Sequence, residues 1–442
     1  MVIASASPVD FRGTSGGRFN LDTDAASRIL KEHYEGPVRD LVVSHTTGWR
    51  MFQGNTQRIE SDGKYAVIPL RTGRNHGHAY SAEGGLLADP GSQTWQRAKY
   101  DIRSHYGRIY LTGQRILGAS GGQASFVSGL SAEMSGLAVD MARDNNRMLY
   151  GNGRGALAMV NNVAGYGAGA GVVVAVDNPG GFTNPGPGTQ YFEVGMRVLF
   201  VTPGGAYDGS GTITAVNASA NTITIGTLDS AILDNSWIVR QTDTTTPSAG
   251  LGSYAEEPYG LRALVADDNP GLPAPYANVG NIDRTTEPAW NSIIVDNNGV
   301  IFPFYSMFLQ QLVYAIATQG GGKPGAFLTT YGIQLQYMAE MQGSLTHLKR
   351  TNNDNGMSDE SLSFNGIPIV PDRDCTRGYV YALDMESLYR YVLADYHWIS
   401  AGGAVLRQVV NRDAYEATLC AYQALVTDAP NRNGVGRNIL DS

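Results

Sequence analysis

The sequence predicts a mixed α+β fold into which a small all-β domain is inserted. Three observations predict it. Residues 124–150 have helical period, with Phe126, Leu130, Met134, Leu137, Met141 and Met148 recurring at three- and four-residue steps and their multiples. Residues 64–117 alternate as strands do, around one long Gly-rich loop. Residues 157–246 lose nearly all charge and fill with Gly, Thr, Asn and Val in short alternating runs, the pattern of a small barrel or sandwich.

Composition narrows the classes. With 442 residues and 42 % hydrophobic side chains, the chain is long enough for two or three cores and too apolar for general disorder. Charged residues are 16 %, against about 25 % in ordinary soluble domains. Much of the surface is therefore expected to be covered by something other than water, and symmetric self-assembly would do that. The balance of 32 basic and 40 acidic residues argues against a nucleic-acid clamp. Two cysteines, Cys375 and Cys420, exclude a disulfide framework and a Cys-rich zinc site, and read as buried thiols. No run of about 18 apolar residues marks a membrane span. The first residues lack a basic-then-apolar leader pattern, so synthesis and assembly are expected in the host cytoplasm.

In chain order, residues 1–19 read as an irregular arm, followed by a helix at 22–34 that Asp22 or Thr23 caps and a short one at 37–45 entered through Pro37. Such an arm has little core of its own. Strands follow at 65–70, 95–102 and 106–117, with Pro69 marking an edge. Between the first two lies the stretch from Gly73 to Gln93, with six Gly or Pro residues. A two-stranded ribbon with so long a tip cannot bury itself, so it is expected to lie across a neighbouring chain. Helix 124–150 would be about 40 Å long at ~1.5 Å per residue. Gly151 and Gly153 end it, and Asp140, Arg143, Asp144 and Arg147 are spaced for ion pairs along it. The β insert shows strands at 172–176, 191–201, 211–216, 222–225 and 237–239. Beyond it, helices are expected at 304–318 and 330–348, and strands at 367–370, 378–382, 406–410 and 415–426.

Motifs for chemistry are weak. Gly118-Ala-Ser120-Gly-Gly122 matches a nucleophile elbow, and Asp372 or Asp395 with His397 would complete a hydrolase triad in the right order. Gly13-Thr-Ser15-Gly-Gly17 matches the same pattern in the arm, and the strand–helix alternation of a hydrolase is missing around Ser120, so a glycine-rich helix entry is the better reading. Gly165-Tyr-Gly-Ala-Gly-Ala-Gly171 precedes a strand where a dinucleotide loop should follow one, and reads as a linker into the insert. Pro324 after Gly322-Lys323 rules out a phosphate-binding P-loop. His76 and His78, near Glu83, make a poor metal set beside an interface loop. Arg71, Arg74 and Glu83 fit ion pairs between chains better, because planar guanidinium suits interface carboxylates. His76, Asp89 and Arg97 complete the candidate inter-subunit contacts. Tyr379, Tyr381, Tyr389, Tyr391, Tyr396 and Trp398 read as core or interface. No catalytic residue, cofactor or metal site is assigned.

The order of pieces, an arm, an extended β-loop, a long helix and a mixed α/β region with closing strands, resembles the major capsid proteins of tailed phages. Several phrases carry the resemblance: Pro69-Leu-Arg-Thr-Gly-Arg-Asn75, Ala82-Glu-Gly-Gly85, Tyr106-Gly-Arg-Ile-Tyr-Leu-Thr-Gly-Gln114, Glu133 through Tyr150-Gly-Asn-Gly153, Phe364-Asn-Gly-Ile-Pro-Ile369 with Asp372, and Arg412-Asp-Ala-Tyr-Glu-Ala417. The resemblance implies a Hong Kong 97-type fold with an N-terminal arm (1–51), an E-loop (52–100), a peripheral domain with its spine helix (101–156), the inserted β domain (157–246), an axial domain with its junction (247–405), and closing peripheral strands with the tail (406–442). It further implies hexamers and pentamers tiling an icosahedral head around double-stranded DNA, with a portal at one vertex and no membrane. The insert would bridge capsomers, replace a decoration protein or give one a footing.

Two departures add expectations. Some members cross-link through a Lys in the E-loop, but residues 73–93 contain none, and Lys64 and Lys99 sit toward the base. A non-covalent shell is therefore expected. The arm is short, so a separate scaffolding protein and no maturation cleavage are expected. Tail or decoration proteins would lack the long helix, whereas encapsulin shells, which enclose enzymes, share the fold.

Overall fold

The computed structural model describes residues 46–53, 56–58, 65–113, 126–183, 185–242, 250–273, 277–296, 298–342, 362–400 and 405–441. All lie in the larger of the chain's two units, residues 44–442. The helices expected at 22–34 and 37–45, Ser120 with its elbow, and the second half of the helix expected at 330–348 fall outside the described residues.

The long helix is Phe126–Leu149. Its end follows from glycine: Gly151 N–H donates to the Met148 carbonyl at 3.0 Å, and Gly153 at φ +86° turns the chain away. The helix lies on a five-stranded sheet whose centre is the long strand Ala414–Thr427. Arg103–Thr112 pairs antiparallel along one edge of that strand in unbroken register, and Leu388–Trp398 pairs along the other. Thr56–Arg58 adds in parallel outside Leu388–Trp398. Helix and sheet approach closely at Gly107, where a Cβ would stand 2.6 Å from Met141 Sδ and 2.8 Å from a Leu137 methyl. Strand Leu388–Trp398 was read in the sequence only as an aromatic stripe. Its alternation is real: Leu388, Arg390 and Val392 are buried, and Tyr389 and Tyr391 pack at the core's margin.

The insert is a closed six-stranded barrel, with Ala156–Val160 between Trp237–Arg240 and Gly169–Asp177, and then Thr222–Leu228, Tyr207–Asn217 and Arg197–Val201. Closure leaves no open sheet edge, which a small all-β unit needs. Val160, Val174, Phe200, Ile213, Ile223 and Ile225 fill it. Two expectations change here. The strand expected at 191–201 begins only at Arg197, because Phe192 and Met196 close turns onto Thr189 and Glu193 and Gly195 takes φ +89°. Residues 165–171 are no linker. Gly165 turns at φ +68° against the Ile232 carbonyl, and 169–171 open a barrel strand.

A second, six-stranded sheet runs Ile293–Val295, Gly434–Gly436, Val380–Leu383, Ala326–Thr329, Ile367–Pro371, Ser363–Phe364. Helices Ser306–Ala315 and Tyr331–Gln342 pack on it through Phe308, Leu309, Leu312, Ile333 and Tyr337. The first of these starts two residues later than expected, because Tyr305 is extended, and ends through a π-turn at Ile316–Gly320 before Gly321 at φ +66°. The strand expected at 378–382 starts at Val380, since Gly378 takes φ +75°. That expected at 406–410 shrinks to Arg407–Gln408. Helix Thr47–Gln53, unforeseen in the sequence, buries Trp49 and Phe52 in the central core beside Leu149 and Tyr150. Cys375 and Cys420 are free and buried. Among the described residues, no helix is long and apolar enough to cross a membrane.

Candidate functional site

The feature that stands out from the cores is the ribbon Tyr65–Gly73 with Thr94–Asp101. Its two faces have different fates because strand side chains alternate. On one face Ala66, Ala98 and Tyr100 enter the central core, and Tyr100 Oη donates to the Thr427 carbonyl at 2.8 Å. Beneath them Gly280, at φ +62°, leaves just enough room: a Cβ there would sit 3.2 Å from Ala98 Cβ. This floor is pinned by Arg284, which is fully buried and donates to the carbonyls of Ala263 (2.7 Å), Asp268 (2.6 Å), Leu264 (3.0 Å) and Trp290 (3.2 Å). Burial pulls the Arg284 guanidinium down to about 10.

The other face of the ribbon covers nothing. Register places Val67 opposite Lys99, Pro69 opposite Arg97 and Arg71 opposite Trp95, so one face collects three cations and two exposed apolar side chains. The Lys99 ammonium lies 3.5 Å over the Tyr65 ring. Beyond the strands, residues 74–93 form no regular structure, and Leu86 and Leu87 are 95 % and 87 % exposed.

Every one of the six residues named from the sequence lies here. Arg71, Arg74, His76, Glu83, Asp89 and Arg97 are all exposed, and none of their side chains has a hydrogen-bond or ion-pair partner among the described residues. The ribbon brings Arg71 and Arg97 onto one face; the other four are spread along the tip.

A second arrangement was half visible in the sequence. Asp140 pairs with Arg143 at 3.6 Å and Asp144 with Arg147 at 3.7 Å, as helical spacing predicts. The structure adds Arg240, at the end of the last barrel strand, 2.9 Å from Asp144, and Glu257, which pairs with Arg147. Burial raises the Asp144 carboxyl, but Arg240 and Arg147 outweigh it and hold it below its ordinary value. The network fastens barrel to helix. A signal existed, since Arg197 and Arg240 are the two cations between Leu157 and Arg240. Further exposed apolar side chains, Met307, Tyr314, Tyr331 and Leu335, lie along the two helices of the second sheet.

The hydrolase candidates are not assembled. Asp372 is buried and spends its carboxylate on Gly48 N–H and Asn146. Asp395 pairs with Arg390 at 2.9 Å, and His397 Nδ1 meets the Asp395 backbone carbonyl, not its carboxylate. Among the described residues no group of three His, Cys, Asp or Glu side chains is placed to hold a metal ion.

No protein-family model matches the sequence, and no curated protein matches it. Solved structures do. The chain is similar to a chain of the cyanophage A-1(L) capsid asymmetric unit, with a TM-score of 0.55 and 12 % identity over 95 % of this chain and 99 % of that one. Weaker likenesses include the capsid of the native GTA particle, with a TM-score of 0.47 and 9 % identity over 94 % and 97 % of the two chains. Another is the holo-SrpI encapsulin complex from Synechococcus elongatus, at 0.44 and 8 % over 94 % and 95 %. The cyanophage likeness spans the whole architecture, and the chain has the Hong Kong 97-type capsid fold with a small six-stranded barrel added.

Proposed function

We propose that this chain is the major head protein of a tailed double-stranded DNA phage, a structural subunit and not an enzyme. It assembles as hexamers and pentamers into an icosahedral shell and resides in the virion. The ribbon carries the reading. One face is spent on the subunit's own core, while the other face and a 20-residue tip expose Trp95, Leu86, Leu87 and unpaired arginines. An exposed apolar surface of this kind marks an interaction site. Arg71, Arg74, His76, Glu83, Asp89 and Arg97 are the proposed contacts with neighbouring copies. Low charge content fits a chain largely covered by its own kind, and the net charge of −8 fits a wall that does not bind packaged DNA tightly. A separate scaffolding protein, a portal and, optionally, a decoration protein are the further partners of this reading.

Expression of the chain alone and with its candidate scaffold, followed by negative-stain microscopy and sedimentation, tests it. Closed icosahedral particles are expected. A chain that stays monomeric at high concentration with every candidate scaffold, and instead coats finished heads, would overturn it.

A further inference from the structure

The helix–barrel junction offers a surface complementary to the ribbon. Glu133 and Asp140 lie seven residues apart on Phe126–Leu149, two turns and so one face, separated by about 10 Å. Both are exposed, and between them Gly136 is bare: a Cβ added there would meet no atom within 4 Å. Beside this strip the barrel contributes Glu193 and Val194, which is 67 % exposed. Arg143 reaches both Asp140 (3.6 Å) and Glu193 (3.7 Å), one cation between two carboxylates, while Glu133 has no partner among the described residues. The strip is thus acidic, has a small-residue floor, and is bordered by one exposed valine.

We infer that the acidic strip Glu133–Asp140–Glu193 of one subunit receives the basic outer face of the ribbon, Arg71, Arg97 and Lys99 with Trp95, of a second copy. This rests on the shell reading above and gives the inserted barrel a role in it, because Glu193 and Val194 belong to the insert. Charge complementarity selects the occupant. The ribbon face has cations without carboxylates, the strip has carboxylates in excess of cations, and each face is left uncovered by its own subunit. Lengths also agree. Arg71 to Val67, opposite Lys99, spans about 13 Å at ~3.3 Å per residue, close to the Glu133–Asp140 spacing. Arg97 lies diagonally across from Arg71, within reach of the same carboxylates. Trp95, at the tip end of that face, would cover Val194.

The test is charge reversal in the full-length chain with its scaffold, scored as the fraction of subunit in particles. Arg71→Glu with Arg97→Glu, and separately Asp140→Arg with Glu193→Arg, are each expected to lower that fraction at least tenfold. All four together should restore it to within threefold of wild type. Thermal melting of the unassembled variants checks that each still folds. For a variant that does not fold, Arg97→Cys with Glu193→Cys replaces it, and oxidation of assembled particles is expected to give covalent ladders. Reversals without effect, reversals that add without rescue, or absence of ladders in intact particles would each overturn the inference while leaving the shell reading standing. Failure of the wild-type chain to form any particle would instead remove the shell reading beneath it.

Discussion

The carboxylate of Asp372 accepts the backbone N–H of Gly48 at 2.7 Å, across 324 residues of chain. Its other oxygen takes Asn146 Nδ2 at 2.9 Å and the Asp374 N–H at 2.9 Å. One buried side chain therefore joins the segment leaving the arm, the long helix and the loop that follows Ile367–Pro371. The root of the arm is fixed in the monomer even though the ribbon's tip is not packed on it.

Asp372→Ala should cost about 3 kcal/mol or more, because several buried donors lose their acceptor at roughly 1–3 kcal/mol each. Gly48→Ala should destabilise by about 1–3 kcal/mol through overpacking, since its Cβ would stand 2.6 Å from Tyr150 Oη and 2.9 Å from Asp372 Oδ2. Urea unfolding of the unassembled subunit measures both. An Asp372→Ala variant within 0.5 kcal/mol of wild type, roughly the scatter of a neutral surface change, would contradict the anchor.

Arg284→Lys keeps the charge and loses the fork. An ammonium has three donors on one atom and cannot span carbonyls from residues 263 to 290 as the guanidinium does. A loss of about 2–4 kcal/mol is expected, from two or more orphaned buried carbonyls. Hydrogen exchange should locate the loosening at the ribbon's base, around Ala98 and Tyr100. Unchanged protection there would contradict the role of the floor.

Acid should weaken the contact between helix and sheet through His105. Its Nδ1 lies 3.1 Å from Tyr396 Oη, which Asn145 of the long helix and Gln423 also approach. Burial holds the imidazole below its ordinary 6.5, although Asp144 and Glu257 pull upward; Arg147 and Arg240 add to the downward shift. The unfolded chain therefore binds a proton that the folded chain refuses in the window below pH 6.5. The contribution is complete above 6.5 and declines as pH falls toward the depressed value. His105→Gln should flatten that part of the stability–pH curve, as read by thermal melting from pH 7.5 to 4.5. A variant with wild-type slope in this window would refute it.

Assembled particles boiled in detergent should run as a single monomer band. Residues 73–93 contain no lysine from which a ribbon tip could form an isopeptide link. A ladder of covalent multimers in untreated particles would refute the prediction.

Local chemistry determined much of this protein. Helical period placed Phe126–Leu149 to within two residues at its start and one at its end. Loss of charge and strict alternation announced the barrel, and Gly73–Gln93 declared itself a tip without a core, because each signal is contained within a short run of sequence. What period and propensity cannot express is which distant group satisfies which. Strand Leu388–Trp398 went unread because its alternation mixes Arg390 into the buried face, acceptable only where Gln423 accepts its Nε–H. The strand expected at 191–196 dissolved into turns that the barrel's closure dictates. Arg240 meeting Asp144, Asp372 meeting Gly48, and two arginines sharing one ribbon face opposite a bare acidic strip depend on register and on segments up to hundreds of residues apart. Burial fixes those pairings, since a polar group removed from water must find its partner wherever the fold brings one.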